Sequence, residues 1–302
     1  MEPDGPNPVQ IQTCPPNKLA DEALPLVLLH DGGGTTFSYF FLDHLDRDVW
    51  ALHNPNFFTG EPFVGGMDAM ARHYIELIAK AGISGKILIG GWSLGGYLSV
   101  TIANILAQEP SSFSIAGMLL IDSPYHSPDA PEGADPVMGN IPDLVQKAFD
   151  NCIEMLKDWH LPDWPAAQPS QDIQLTVSGR SFAVNKGEIL YAQHKGAWTT
   201  RAVETYPDTQ PQSSPQNPPL AALMRCVDAA PVQAGAGAGK VCDVDFDRDQ
   251  VLLGWAGKYP DFIRAVADLE GHHYALFEVD KADYVTSRMR ELLQMLENAA
   301  RK

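Results

Sequence analysis

Positive charge is scarce in this sequence, which carries 21 lysines and arginines against 38 aspartates and glutamates over 302 residues. The formal net charge is −17. Nucleic-acid binding needs a basic surface, and an anionic membrane surface repels an acidic protein, so we expect neither as a partner. The charge leaves small molecules and other proteins as the partners to consider.

Long apolar runs and paired cysteines are also missing. No run approaches the roughly 20 residues that a membrane-spanning helix needs. The N-terminal stretch MEPDGPNPVQIQTCPPNK is polar and proline-rich, unlike a secretory signal. The four cysteines are far apart, with no C-x-x-C spacing. We therefore expect reduced thiols and a cytoplasmic protein.

Two stretches begin like ligand-binding motifs but lack the residues that those motifs need. AGAGAGKV has Val241 where a P-loop has the Ser or Thr that binds Mg²⁺. DVDFDRDQVLLG has Arg248 in place of the turn glycine of a calcium loop and Gly254 in place of its bidentate glutamate. We interpret the first as a flexible loop and the second as a solvated acidic loop. No metal or cofactor is expected.

Short apolar runs alternate with amphipathic segments, which is typical of a mostly parallel sheet covered by helices. The predicted strands are PLVLLH, DVWALHN, KILIGG, GMLLID, LAALMRCVD and IRAVADLEG. We predict one α/β domain with a core at 24–124 and 220–302, after an N-terminal extension at 1–23. Residues 125–219 interrupt this rhythm and include a strongly amphipathic stretch at 141–161. They are predicted to form an insertion of mainly helical character.

GGWSLGG is the strongest signal for chemistry. Gly91-Trp92-Ser93-Leu94-Gly95 matches G-x-S-x-G, between a predicted strand and an apolar-periodic helix. This is the context of a nucleophile elbow, where glycines two residues before and after the serine allow a sharp turn. The N-terminus of the following helix also directs its amides at the reaction centre. Ser93 is therefore the predicted nucleophile.

A serine nucleophile needs a base and a carboxylate behind it, in the chain order Ser, Asp, His for this fold. LEGHHYALF offers His272 and His273. Asp122 ends the strand GMLLID, and Asp228 ends LAALMRCVD. Both aspartates lie at carboxyl ends of predicted parallel strands, where open α/β sheets build their sites. The residues alone do not decide between His272 and His273 as the base, or between Asp122 and Asp228 as the acid.

LLHDGGGTTFSYF, GGWSLGGYLS, LLIDSPYH and GHHYALF together resemble the thioesterase domains of polyketide synthases and non-ribosomal peptide synthetases, most of all the fungal ones. The resemblance runs from about Leu24 to the C-terminus. It implies an α/β-hydrolase fold, with the insertion as a helical lid. A free-standing protein and an excised domain both fit it.

The resemblance also implies roles for particular residues. The family's nucleophile falls on Ser93, and its G-x-H-[FY] motif selects His273 over His272. The acid of releasing thioesterases falls on Asp122, which we prefer, whereas editing thioesterases would place it at Asp228. The oxyanion hole would consist of the N–H groups of Leu94 and Gly32, the latter being the third residue of HDG.

The implied reaction is release of an acyl chain from the phosphopantetheine arm of an acyl or peptidyl carrier protein, through an acyl-serine, by hydrolysis or cyclisation. The alternative is a carboxylesterase or lipase that acts on small free esters. A catalytically silent hydrolase fold that only binds is a third hypothesis, which the complete set of triad residues disfavours. Because carriers are acidic, docking needs local cations; the insertion offers Lys147, Lys157, Arg180, Lys186, Lys195 and Arg201.

Overall fold

The computed structural model of this chain describes residues 5–164, 172–203, 218–237, 239–259 and 261–301. Its helices are α1 (Gly66–Lys80), α2 (Leu94–Gln108), α3 (Asp143–Leu156) and α4 (Ala282–Ala300). Its strands are β1 (Val9–Gln12), β2 (Leu26–Leu29), β3 (Val49–Leu52), β4 (Gly85–Trp92), β5 (Phe113–Ile121), β6 (Ile173–Val177), β7 (Arg180–Val184), β8 (Glu188–Ala192), β9 (Thr199–Ala202), β10 (Ala221–Cys226) and β11 (Ile263–Leu269). Across these described ranges, no helix is long and apolar enough to cross a membrane.

Nine of the described strands form one sheet, in the order β1-β3-β2-β4-β5-β10-β11-β8-β9. The two outermost pairs, β1–β3 and β8–β9, are antiparallel, and the pairs between them are parallel. The predicted α/β fold with a mostly parallel sheet is therefore confirmed.

Both faces of the central strands are buried. In β2, Val27 and Leu29 pack in a core with α1 and α2, while Leu26 and Leu28 pack in a second core with α4. All four side chains are fully buried. Strands covered on both faces read as continuous apolar runs, which is why these strands were recognisable in the sequence.

The N-terminal extension is part of the sheet. Within β1, Val9 pairs with Ala51 of β3 in antiparallel register. Gln12 further ties the extension to the core, because its side-chain oxygen accepts the N–H of Leu45 at 2.8 Å. The boundary predicted at residue 23 thus separates an edge strand from its own sheet.

The insertion is less helical than predicted. Among the described residues of 125–219, only α3 is an α-helix, and four strands follow it. Strands β6 and β7 form a separate hairpin, whereas β8 runs parallel to β11 and β9 closes the sheet edge. The mainly helical character was wrong because the ILYA run of β8 is buried against a core strand distant in sequence. The proline-rich part at 204–217 lies outside the described residues.

The carboxyl ends of the parallel strands gather the residues that the sequence singled out. Gly32 follows β2, Ser93 follows β4 and Asp122 follows β5. Asp228 follows β10, and His273 follows β11. Parallel strands end at the same edge of a sheet, so one edge carries all five residues.

Candidate active site

Ser93 occupies a strained turn between β4 and α2. Its backbone has φ 54° and ψ −116°, a region that costs a non-glycine residue about 1–3 kcal/mol. Hydrogen bonds hold this conformation: the N–H of Ser93 donates to Ile121 O at 3.0 Å, and its carbonyl accepts the Ser123 hydroxyl at 2.7 Å. The side chain remains partly exposed. The structure thus presents the serine at the tip of an elbow.

The glycines of the motif are required by close packing. A Cβ on Gly91 would lie 2.6 Å from Leu29 O, and one on Gly95 would lie 2.5 Å from the same oxygen. The Tyr39 hydroxyl ties these strand ends together, since it donates to Leu29 O at 2.6 Å and accepts the N–H of Trp92 at 2.9 Å. Any larger residue at 91 or 95 would push β2 away from the elbow.

His273 and Asp122 meet at this edge. The Nδ1 of His273 lies 2.8 Å from Oδ2 of Asp122, across 151 residues of sequence, and both side chains are buried. An ionised carboxylate can only accept, so Nδ1 carries the hydrogen and Nε2 is the nitrogen with a free lone pair. The imidazole packs against Trp92, the residue before the serine, with ring centroids 5.4 Å apart.

The other two candidates lie elsewhere. The carboxylate of Asp228 is exposed and accepts the N–H of Gly271 at 3.1 Å, while the N–H of Asp228 donates to Gly271 O. It thereby fixes the loop before the histidines. The buried Nδ1 of His272 has no hydrogen-bond partner among the described residues. The geometry brings together His273 and Asp122, as the family resemblance implied.

Asp122 is held in an unusually polar buried environment. Its Oδ1 accepts the N–H of Cys226 at 2.8 Å and Nη1 of Arg248 at 2.5 Å, and its Oδ2 accepts Nη2 of Arg248 at 3.0 Å. Burial would raise the pKa of this carboxyl, but the hydrogen bond from His273 and the charge of Arg248 outweigh it and lower the pKa to about 2. Asp122 is therefore ionised throughout the neutral range.

Arg248 corrects an interpretation of the sequence. The stretch DVDFDRDQVLLG was interpreted as a solvated acidic loop, yet Asp245 is 4% and Arg248 8% exposed. Their Nε–Oδ1 ion pair is 2.8 Å long. The interpretation was wrong because the partner that buries this arginine, Asp122, lies 126 residues away. Sequence reasoning missed Arg248 as a site residue, and its place in a failed calcium motif was the only local signal.

Two backbone amides lie at the sheet edge that carries Ser93. Among the described residues, the N–H groups of Gly32 and Leu94 donate to no protein acceptor. Leu94 is the first residue of α2, where helix amides are unsatisfied and carry the positive end of the dipole. These are the two groups predicted for an oxyanion hole.

Contacts of the buried His30 side chain hold the loop that carries Gly32 in place. His30 Nδ1 lies 2.6 Å from Asp31 O, and its Nε2 lies 2.6 Å from the Tyr74 hydroxyl. Burial lowers the pKa of His30 to about 4, so this histidine is neutral and structural. Burial also raises the pKa of the Asp31 carboxyl to about 7, partly offset by the N–H of Gly33.

Helix α3 lies over the glycine loop. A Cβ on Gly32 would lie 3.2 Å from a ring carbon of Phe149 and 3.3 Å from Sγ of Cys152. The chain beyond α3 is anchored to the core: Trp159 stacks on His126 with centroids 6.0 Å apart, and His126 Nε2 lies 3.0 Å from Leu156 O. Helix α3 of the insertion thus packs over the loop that carries Gly32.

Comparisons with known proteins identify the family of this chain. The model of the alpha/beta hydrolase family matches residues 26–295. The chain is 45% identical to the probable thioesterase lcsE of Purpureocillium lilacinum, over 98% of both chains. It is 41% identical to the probable thioesterase KK1J of Curvularia clavata, over 97% of this chain and 96% of the relative.

Among solved structures, the fold is similar to the NocB thioesterase domain in covalent complex with a fluorophosphonate nocardicin G analog. The TM-score is 0.56 at 18% identity, over 91% of this chain and 97% of that one. Because the family model matches most of the chain and both relatives match nearly all of it, the chain belongs to the alpha/beta hydrolase family, beside proteins named as fungal thioesterases.

Proposed function

We propose that this protein is a serine thioesterase that releases an acyl or peptidyl chain from the phosphopantetheine arm of a carrier protein. The observation that carries the proposal is the 2.8 Å contact between His273 and Asp122 at the sheet edge where the Ser93 elbow lies. The names of the two fungal relatives support the thioester as the bond attacked.

The first half of the reaction forms an acyl-enzyme. Ser93 Oγ attacks the thioester carbonyl while Nε2 of His273 takes the hydroxyl proton, and Asp122 stabilises the imidazolium through Nδ1. The tetrahedral oxyanion accepts hydrogen bonds from the N–H groups of Gly32 and Leu94. Each such donor is worth about 3–4 kcal/mol of barrier in enzymes where it has been measured. The C–S bond then breaks, and the thiolate takes the proton from His273.

The second half releases the chain. Water, or a hydroxyl or amine of the bound chain, gives its proton to His273 and attacks the ester carbonyl of acyl-Ser93. Collapse of the second oxyanion breaks the C–Oγ bond, and the serine recovers its proton. The cover formed by α3 supports control at this step, since exclusion of water from the ester favours an internal nucleophile.

The experiment that tests this function compares two substrate classes. We expect kcat/KM for an acyl chain on a carrier protein, or on free pantetheine, to exceed that for the p-nitrophenyl ester of the same acyl group by at least about tenfold. Ser93→Ala should abolish turnover of both substrates. The reverse preference would contradict the proposal and favour a carboxylesterase that acts on small free esters.

A further inference from the structure

The guanidinium of Arg248 is saturated with buried acceptors. Nη1 donates to Asp122 Oδ1 at 2.5 Å and to Cys226 O at 3.0 Å, and Nη2 donates to Asp122 Oδ2 and Val244 O, both at 3.0 Å. Nε donates to Asp245 Oδ1 at 2.8 Å. All five N–H groups thus have partners, which leaves the side chain one orientation.

The carboxylate of Asp122 is equally saturated. It accepts four hydrogen bonds, two on each oxygen: Cys226 N–H and Arg248 Nη1 on Oδ1, and Arg248 Nη2 and His273 Nδ1 on Oδ2. Bidentate contact with a planar guanidinium fixes the plane of a carboxylate. The same oxygen that orients the imidazole is therefore shared with a full positive charge.

We propose that Arg248 is a positioning residue for the triad: it fixes Asp122 against His273 and, by its charge, makes the Asp122–His273 pair bind a proton only at lower pH than an aspartate–histidine pair alone would. This inference rests on the proposed function. Its consequence is that the base stays unprotonated, and the enzyme active, further into the acidic range.

The sign follows from the charges around the pair. The guanidinium of Arg248 carries a charge of +1 in direct contact with Asp122. Asp245 carries a charge of −1, but it contacts the other side of the guanidinium and so lies farther from the pair. Arg248 repels a proton added to the Asp122–His273 pair, and Asp245 attracts it. Because Arg248 is nearer, the net effect lowers proton affinity, and because the cluster is buried, solvent screens it little.

Cys226, Tyr97, Tyr274 and Lys281, which also lie near the pair, do not reverse this sign. Burial raises the pKa of the Cys226 thiol and of the Tyr97 and Tyr274 hydroxyls, so all three are neutral at working pH. The Lys281 ammonium, which donates to Ala275 O at 2.9 Å, adds positive charge of the same sign as Arg248.

The test is the pH dependence of Arg248 variants. In Arg248→Met, we expect the acid limb of the kcat/KM profile to move up by about one pH unit, with Arg248→Lys in between because it keeps the charge but not the fork. If Arg248 has only a structural role, both variants should have a lower melting temperature and an unchanged acid limb of the kcat/KM profile. That result would overturn the proposal.

A second variant covers the case in which Arg248→Met does not fold. Asp245→Asn removes the negative charge beyond the guanidinium, so the acid limb should move to lower pH. An unchanged or raised midpoint in Asp245→Asn overturns the proposal.

The same midpoint can be followed without catalysis, from the imidazole resonance of His273 in isotope-labelled protein, assigned by its loss in His273→Ala. If the resonance midpoint shifts as expected while no variant, nor the wild type, turns over thioesters, the proposed function fails and the role of Arg248 in the electrostatics of the pair stands. If thioesters are turned over and neither midpoint shifts, the proposed function stands and the proposed role of Arg248 fails.

Discussion

Asp122 and Asp228 end adjacent parallel strands, yet their side chains have different partners. Asp122 contacts the imidazole of His273 from inside the protein, while Asp228 is exposed and accepts a loop N–H. The backbone also differs after the two strands, since Asp122, directly after β5, is a left-handed residue with φ 42°.

These positions give a matched pair of variants. Asp122→Asn should lower kcat/KM about 10³–10⁴-fold, because an amide no longer holds the imidazole in the right tautomer or stabilises its charge. Asp228→Asn should remain within a few-fold of wild type, since an amide oxygen can still accept the N–H of Gly271. Steady-state kinetics on a pantetheine thioester, with melting temperatures as a folding check, measures both. The opposite ranking would return the triad acid to Asp228.

Asp31 predicts a pH dependence of stability. Its folded pKa, about 7, lies above the ordinary value, so the folded state holds a proton between about pH 4 and 7 that the unfolded state releases. Stability from this group is therefore present below pH 4 and is lost as pH rises to 7.

The substitution Asp31→Asn removes that loss. Relative to wild type, the variant should gain about 1–2 kcal/mol of unfolding free energy between pH 5 and pH 8, after allowance for partial solvent access. Urea unfolding at the two pH values measures it. The exposed Asp129→Asn serves as control and should follow wild type. Parallel pH curves for Asp31→Asn and wild type would show that Asp31 is not desolvated.

At the scale of elements, helix α3 packs against the glycine loop. A Cβ added to Gly32 or Gly33 would lie 3.2 or 3.4 Å from the ring of Phe149, whereas Ile153 on the same helix is 65% exposed. Truncating the ring opens a path for water to the acyl ester without touching the triad.

Phe149→Ala should therefore speed hydrolysis of acyl-Ser93 several-fold, while the control Ile153→Ala leaves it unchanged. The decay of the acyl-enzyme, followed by intact-protein mass spectrometry after a single loading, measures both rates. Equal decay in Phe149→Ala and wild type would mean that α3 does not limit water at the ester.

The secondary-structure elements differ in how far their formation depends on residues nearby in the sequence. Strands β2, β4, β5, β10 and β11 were predictable because burial on both faces makes each an apolar run. The β6–β7 hairpin was missed although Ser178-Gly179, with φ 47° and 74°, is a recognisable turn signal. Strand β8 has no such signal, since its parallel partner β11 lies beyond it in the chain, and β9 is antiparallel to β8.

The residues of the site also differ in how far local sequence could predict them. The glycines around Ser93 are required by the close approach of β2, but their spacing is a recognisable motif, so the five-residue sequence alone predicted the elbow. The choice of Asp122 came from the family resemblance, and the structure supports it by contact with His273. Arg248 was beyond sequence reasoning, because an arginine among aspartates has the pattern of a solvated surface until a distant carboxylate buries it.

At the scale of the whole molecule, the net charge of −17 opposes docking of an acidic carrier protein. Docking of the proposed carrier would therefore depend on local cations, and Lys147 is the exposed cation on α3 itself. Lys86 is the second residue of β4, at the opposite end of that strand from Ser93, and is also exposed.

Lys147→Glu should raise KM for a carrier-bound substrate several-fold, more at low salt than at high salt, and leave the pantetheine thioester unaffected. Lys86→Glu should change neither. Equal effects of the two variants would indicate that only total charge matters and that the carrier approaches elsewhere.

The most direct test of the account is the fate of Ser93 itself. Wild-type protein mixed with an acyl-pantetheine thioester and quenched in acid should gain the mass of the acyl group, on the peptide that contains Ser93. Ser93→Ala should gain none, and Asp122→Asn should load far more slowly than wild type. An acyl group on any other residue, or thioester turnover by Ser93→Ala at the wild-type rate, would contradict the central claim.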